Sequence, residues 1–234
     1  MLDKSLLPVE FSTRIGAWRS ESATFRANVA LSELPDFSCL PGRSAAAHHG
    51  SGILISPSLQ YLDAAHRDAL LAGTSRQPVI ELLIPSTLDE SLAPPGAHVA
   101  SLFCQHFRYE LPDGRYWEDE REATLTRVID TVSRYAPNFR RSVIAAQAYS
   151  PVDLEQRFGL VGGDIFHGAM NLDQLYWARP AWGYAQYRSP LAGLYLCGSG
   201  AHPGGGVTGA PGHNAAHAII ADFRSRRVPA QTGR

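Results

Sequence analysis

The feature that most constrains this chain is the run LYLCGSGAHPGGGVTGAPGHNAAHAII, residues 194–220. A short apolar stretch, a turn dense in glycine and proline, and a small-residue helical segment follow one another there. Gly204, Gly206 and Gly209 even satisfy a formal G-x-G-x-x-G. A complete dinucleotide unit also needs a second strand after the helix and an acid about 20 residues on to hold the ribose. Asp222 stands at a tolerable distance, but RSRRVPAQTGR after it cannot supply that strand with a sheet behind it. An independent Rossmann domain at this position is therefore not expected.

Taken as a piece, the run has two readings. Successive glycines let a backbone approach a ligand, and amides opening a helix present positive partial charge to an anion. Close packing of a strand against a helix, with no ligand, uses the same residues. Pro211 has no N–H and belongs in the first helical turn, which leaves Gly205 to Gly209 as the free amides.

The rest of the chain reads as strands with interspersed helices. Thr24 to Ser32 alternates, with Phe25, Ala27, Val29 and Leu31 on one face, as a half-buried strand does. GILI (52–55) is a short strand. A helix follows, with Ser56 as N-cap, Pro57 at its first position, Gly73 as its stop, and Leu59, Leu62, His66 and Ala69 along one face. PVIELLIP (78–85) reads as a strand fenced by proline, and HVASLFCQHFRYE (98–110) as a longer one. Residues 118–135 form a helix opening on Glu118, Asp119 and Glu120, with a stripe of Leu125, Val128, Ile129 and Val132. A strand near 143–149 precedes Ser150-Pro151-Val152-Asp153, a capping-box start to a brief helix ending at Gly159. The fold class expected is α+β: an antiparallel or mixed sheet with helices, plus a C-terminal strand-turn-helix. The division expected is a body over 1–189, a closing segment over 190–225 and a tail over 226–234.

Composition removes several functions. A net charge of -1 gives no electrostatic case for nucleic acid or an anionic membrane surface. No apolar run reaches the roughly 18 residues of a membrane span, so no transmembrane segment is expected. The N-terminus lacks a signal pattern. Three widely spaced cysteines, Cys39, Cys104 and Cys197, suggest neither a disulfide framework nor a zinc ribbon. The expected location is cytoplasmic.

Among chemical motifs, His213 and His217 have the spacing of zinc ligands, but Asn214 stands where H-E-x-x-H requires glutamate, and no metal is expected. Ser199 and Ser51 lack the spacing of a nucleophile elbow. His167, in DIFHGAM, is the catalytic candidate, with Tyr176, Trp177 and Trp182 as candidate pocket aromatics. Their alternative is a hydrogen-bonded structural histidine among core rings.

GLYLCGSGAHPGGGVTGAPGHNAA, with GGDIFHGAMNLDQLYWARP upstream, closely resembles the C-terminal part of phytoene-desaturase-like FAD-dependent oxidoreductases, of amine-oxidase-like fold. The nearest branch is the pyridine nucleotide-disulphide oxidoreductase domain-containing protein 2 type. TFRANVALSELPDFSCLPG, SLAPPGAHVASLFCQ and RVIDTVSRYAPNF carry the likeness along nearly the whole chain. The resemblance implies a discontinuous FAD domain: an N-terminal Rossmann half grips the ADP moiety, and the chain returns at its end to close over the flavin. Carried onto this sequence, Gly198, Ser199, Gly200 and Ala201 approach the ribityl-pyrophosphate region. Gly204, Gly205, Gly206 and Val207 lie toward the isoalloxazine, with His202, Pro203 and Gly209 completing the set. The implied chemistry is dehydrogenation, desaturation or isomerisation of an apolar substrate. The Rossmann fingerprint is missing here, so the expectation is a split or truncated enzyme completed by a Rossmann-half partner chain or by self-association. The alternative is a non-catalytic binding or assembly module without flavin.

Overall fold

A computed structural model of the chain describes residues 3–20, 24–42 and 44–225. The tail at 226–234 lies outside the described residues. In chain order the regular elements are α1 (Val9–Gly16), β1 (Phe25–Leu31), β2 (Ile53–Ile55), α2 (Leu59–Ala72), β3 (Thr74–Leu83) and β4 (His98–Phe107). There follow α3 (Trp117–Tyr135), α4 (Phe139–Ser142), β5 (Val143–Tyr149), α5 (Pro151–Phe158) and α6 (Ala210–Arg224). By internal contacts the chain groups into two units, 23–163 and a second made of 1–22 with 164–234.

The unit of residues 23–163 is an α+β layer pair. Its five strands run antiparallel in the order β2-β3-β4-β1-β5. Alternation along β1 puts Phe25, Ala27, Val29 and Leu31 on one face, all at 1% exposure or less. Ala100, Leu102 and Cys104 of β4 and Ile80 and Leu82 of β3 join them, and Leu125, Val128 and Val132 of α3 close the core. A fully buried side chain of this kind contributes about 1.5–3 kcal/mol, so this cluster defines the sheet's register. Ser150 and Asp153 cap α5 reciprocally, and Gly159 ends it in the left-handed conformation.

Three local expectations are corrected. The N-cap of α2 is Ser58, not Ser56: its hydroxyl accepts the Tyr61 N–H at 3.1 Å. The helix buries Ala65 and Ala69, while Leu59, Leu62 and His66 are exposed; its small residues meet β3 and β4 because they allow close approach. Strand β3 begins at Thr74 and runs through Pro78, which the ladder tolerates because the register shifts between Thr74 and Val79.

In the other unit, α6 forms as expected, with Pro211 in its first turn. The stretch before the glycine run is not a strand. Among the described residues it pairs only through one isolated bridge, Arg188↔Tyr195. A strand exists only as part of a ladder, and LYLC finds a single partner position here. Among the described residues no helix is long and apolar enough to cross a membrane.

Candidate functional site

The candidate residues all belong to the unit holding residues 164–225. Its first turn is organised by Asp164, which is wholly buried and whose Oδ1 accepts the Phe166 N–H at 2.8 Å. His167 takes a left-handed φ of 56°, and its side chain is exposed. The Trp18 indole donates to the His167 carbonyl at 3.2 Å. Gly168 then passes directly beneath that indole: a Cβ there would lie 2.2 Å from Trp18 Cζ2.

Arg179 ties this turn to the glycine run. It is wholly buried, and its Nε donates to the Ser199 carbonyl at 2.8 Å while Nη1 donates to the Gln174 carbonyl at 3.0 Å. Its Nη2 donates to the Phe166 carbonyl, and the guanidinium lies 5.2 Å from the centre of the Trp18 ring. Burial works against its charge and holds its pKa below the ordinary value, while Asp164 opposes that shift. A planar fork of donors suits this task, since several carbonyls converge on it from different segments.

Around this anchor the run from Gly198 to Gly209 folds as a series of tight turns. Gly204 and Gly206 have φ of 120° and 133°, a region that side chains rarely adopt. Val207, a β-branched residue, sits at φ 56° with its side chain fully exposed. Held strain of this kind concentrates at functional sites. Phe166 backs the run: a Cβ on Gly205 would come within 3.0 Å of its ring. Among the described residues no backbone N–H from Gly204 through Gly209 donates to a protein acceptor. These amides directly precede α6, whose dipole favours negative charge at that end.

Beside the run lies a cavity of about 480 Å³ lined by Trp177, Tyr187, His202, Asn214 and His217 among others. The Trp177 and His202 rings are 6.2 Å apart at 28°, and Asn214 donates to the Tyr187 hydroxyl at 2.9 Å. Trp177 and His202, singled out separately in the sequence, are thus brought together. Tyr176 sits against Trp177, with ring centres 6.1 Å apart. Trp182 does not line the cavity; it is exposed, and its carbonyl accepts from Arg14 at 3.2 Å. His167 does not line it either.

The His213 and His217 rings are 4.6 Å apart on α6, and the described residues hold no group of three or more side chains able to bind a metal. Asp222 is buried and accepts from Arg188 at 2.6 Å and from Tyr195 at 2.9 Å. Sequence reasoning passed over Arg179 and Tyr187, and weighed Asn214 only against a metal motif and not as a residue of this cavity. The signal for Arg179 was its place in YWARP, a lone cation between apolar residues and proline.

The residues fit a flavin on two observations. The 204–209 backbone presents amides without protein acceptors, and Gly204 and Gly206, at φ of 120° and 133°, keep two positions of that run in conformations that side chains rarely adopt.

No family model matches the chain. Over 224 residues it is 47% identical to pyridine nucleotide-disulfide oxidoreductase domain-containing protein 2 of Rattus norvegicus, covering 94% of this chain and 39% of that protein. It is 30% identical over 151 residues to a lycopene-forming phytoene desaturase of Pseudescherichia vulneris, covering 61% of this chain and 28% of that one. A solved structure, an oxidoreductase from Methanosarcina mazei, superposes with a TM-score of 0.51 at 16% identity, covering 95% of this chain and 38% of that chain. That likeness concerns the fold alone. The chain thus spans about two fifths of the length of the rat relative it matches.

Proposed function

This chain is a homologue of pyridine nucleotide-disulfide oxidoreductase domain-containing protein 2, and we propose that it forms the C-terminal part of an FAD-dependent oxidoreductase. In this reading residues 190–225 close over the flavin and residues 1–189 form the substrate-side body. The ADP-gripping Rossmann half comes from a partner chain or from sequence joined to this one. The observation that carries the reading is the run of acceptor-free amides at Gly204 to Gly209 before α6.

When bound, FAD supplies a hydride or electron acceptor for dehydrogenation, desaturation or isomerisation. The chain's own residues do the rest. Gly204 to Val207 donate amide N–H groups, which favour negative charge on a ligand at the α6 N-terminus. Arg179 holds Ser199 and the 166–168 turn, so the run keeps its shape before ligand arrives. Ser199, Gly200 and Ala201 supply the turn beside Gly198. Tyr176, Trp177 and Trp182, all more than half exposed, offer apolar surface to a substrate and exclude water. His167, exposed in the same unit, is the group assigned to move a proton.

The test is flavin analysis of the protein purified from its native source, followed by the Gly205→Phe variant. The ring at that position collides with Phe166 and distorts the amide run. Stoichiometric flavin in the native protein and its loss in the variant, with melting temperature preserved, is the expected result. A colourless native protein with no affinity for added FAD overturns the reading and leaves a non-catalytic binding module.

A further inference from the structure

The unit of residues 23–163 holds a cavity of its own, where the loop leaving β1 meets the end of α3. Its volume is about 230 Å³, and Asp36, Ser38, Pro41, Pro137, Asn138 and Arg141 line it. Leu34, Phe37, Ala136 and Phe139 beside these residues belong to the packed core. The cavity is therefore rooted on the helix-covered side of the sheet and not on its open face.

Its walls are held before any ligand arrives. The buried Asn138 amide reaches both sides of Pro35: its Oδ1 accepts the Asp36 N–H at 2.7 Å, and its Nδ2 donates to the Leu34 carbonyl at 2.9 Å. The Ser38 N–H donates to the Tyr135 carbonyl at 2.8 Å, which ties the loop to the last turn of α3. Asp36 Oδ1 accepts the Gly42 N–H at 2.8 Å and closes the loop on itself. Pro41 and Pro137 add apolar surface with almost no side-chain freedom to lose on binding.

The charged groups in this frame are incompletely used. Among the described residues Asp36 Oδ2 has no donor, and no basic nitrogen lies within 4.0 Å of that carboxylate. Arg141 donates through Nε alone, to Glu33 Oε1 at 3.3 Å, and its two terminal nitrogens have no acceptor among the described residues. Asp36 is half-buried and Arg141 exposed, which sets an anionic acceptor in the cavity and a pair of donors at its rim.

Pro137 and Asn138 follow α3 directly, and the carbonyl end of a helix favours positive charge. A cation is thus favoured beside Asp36, while the free edge of the Arg141 guanidinium matches the two oxygens of a carboxylate. The volume is below the roughly 300–1,000 Å³ of sites for drug-sized ligands, which leaves room for a small body between the two prolines.

We propose that this cavity binds a free amino acid with a small apolar side chain: Asp36 takes the ammonium, Arg141 the carboxylate, and Pro41 and Pro137 the side chain. The site uses no residue of the glycine run and needs no flavin, so it stands or falls separately from the reading of that run.

The experiment titrates the isotope-labelled full chain with L-valine, with valinamide, which lacks the carboxylate, and with N-acetylvaline, which lacks the ammonium. Amide shifts of Ser38 and Gly42 report occupancy by nuclear magnetic resonance. Valine binds at least about tenfold more tightly than either analogue, the scale of one charge-assisted hydrogen bond, and weakens with added salt. Asp36→Asn keeps an acceptor for the Gly42 N–H, reduces valine affinity roughly tenfold and leaves N-acetylvaline unchanged. Arg141→Gln, at an exposed position, reduces valine affinity by a similar factor and leaves valinamide unchanged. Equal binding of valine and either analogue overturns the proposal, as does valine affinity unchanged in either variant. Absence of saturable shifts with valine, or shifts confined to residues outside 34–42 and 137–141, overturns it too. Methylamine binding as tightly as valine reduces the cavity to a cation site and overturns the amino-acid assignment.

Discussion

The Nε–H of Arg179 donates to the Ser199 carbonyl at 2.8 Å, joining a wholly buried cation to the first turn of the glycine run. The same guanidinium serves Gln174 and Phe166, so one side chain unites three loop segments that no strand ladder holds.

Replacing it should be costly. Arg179→Met removes the charge and leaves the buried Gln174 carbonyl and the part-buried Phe166 and Ser199 carbonyls without this donor, a buried one costing about 1–3 kcal/mol. The expected loss is roughly 3 kcal/mol or more in urea unfolding, with hydrogen exchange rising across 164–209 and little change across 23–163. Arg179→Lys keeps the charge without the planar fork and recovers part of the loss. A loss below about 1 kcal/mol for the methionine variant would show that the three segments stand without this anchor.

Gly168 supplies a steric prediction. Its φ is 142° and a Cβ would overlap the Trp18 ring at 2.2 Å. Gly168→Ala is expected to destabilise by more than the roughly 1–3 kcal/mol of backbone strain alone, because the indole must also move. Adding Trp18→Ala removes the overlap and should restore part of that cost, which thermal unfolding of the single and double variants measures. Strict additivity of the two substitutions would contradict the contact.

The cysteines differ in reactivity for physical reasons. Cys104 is fully buried, and burial pushes its thiol far above the ordinary value, so thiolate is scarce at neutral pH. Cys39 and Cys197 are exposed. Titration of the native protein with a disulfide reagent should therefore release two equivalents quickly, and the third only in denaturant. Three fast equivalents would place Cys104 at the surface.

Much of the fold was legible where one pattern had one meaning. The alternation of Phe25, Ala27, Val29 and Leu31, the stripe on α3 and the Ser150–Asp153 box all took the form their spacing implied. Legibility failed where two residues competed for a role. Ser56 and Ser58 both precede α2, and only the hydrogen bond to Tyr61 distinguishes them. Leu59 and Leu62 outrank alanine in hydrophobicity, yet Ala65 and Ala69 face the sheet because separation, and not hydropathy, decides that contact. In the candidate site, glycine density located the run. Arg179 escaped notice because a charged residue reads as surface until the converging carbonyls are seen. LYLC read as a strand because its composition suits one, but ladder pairing depends on neighbours that local sequence does not report.

Asp153 gives the pH dependence of the α5 start. Burial pushes its carboxyl upward, but this is outweighed by donation from the Ser150 hydroxyl and N–H and by the Arg121 guanidinium, leaving the pKa below the ordinary 3.8. The folded state thus releases this proton more readily than the unfolded chain does. Its contribution is fully present above pH 3.8 and fades as pH falls through the folded value. Asp153→Asn keeps the shape and removes the titration and the charge. At neutral pH the variant should be less stable by about 1 kcal/mol, the scale of a lost cap. Below pH 3.8 the wild-type and variant stabilities should converge, since the protonated acid and the amide then make similar bonds. Urea midpoints measured for both proteins from pH 7 down to acid unfolding test this, and a difference that widens on acidification would reverse the sign assigned to Asp153.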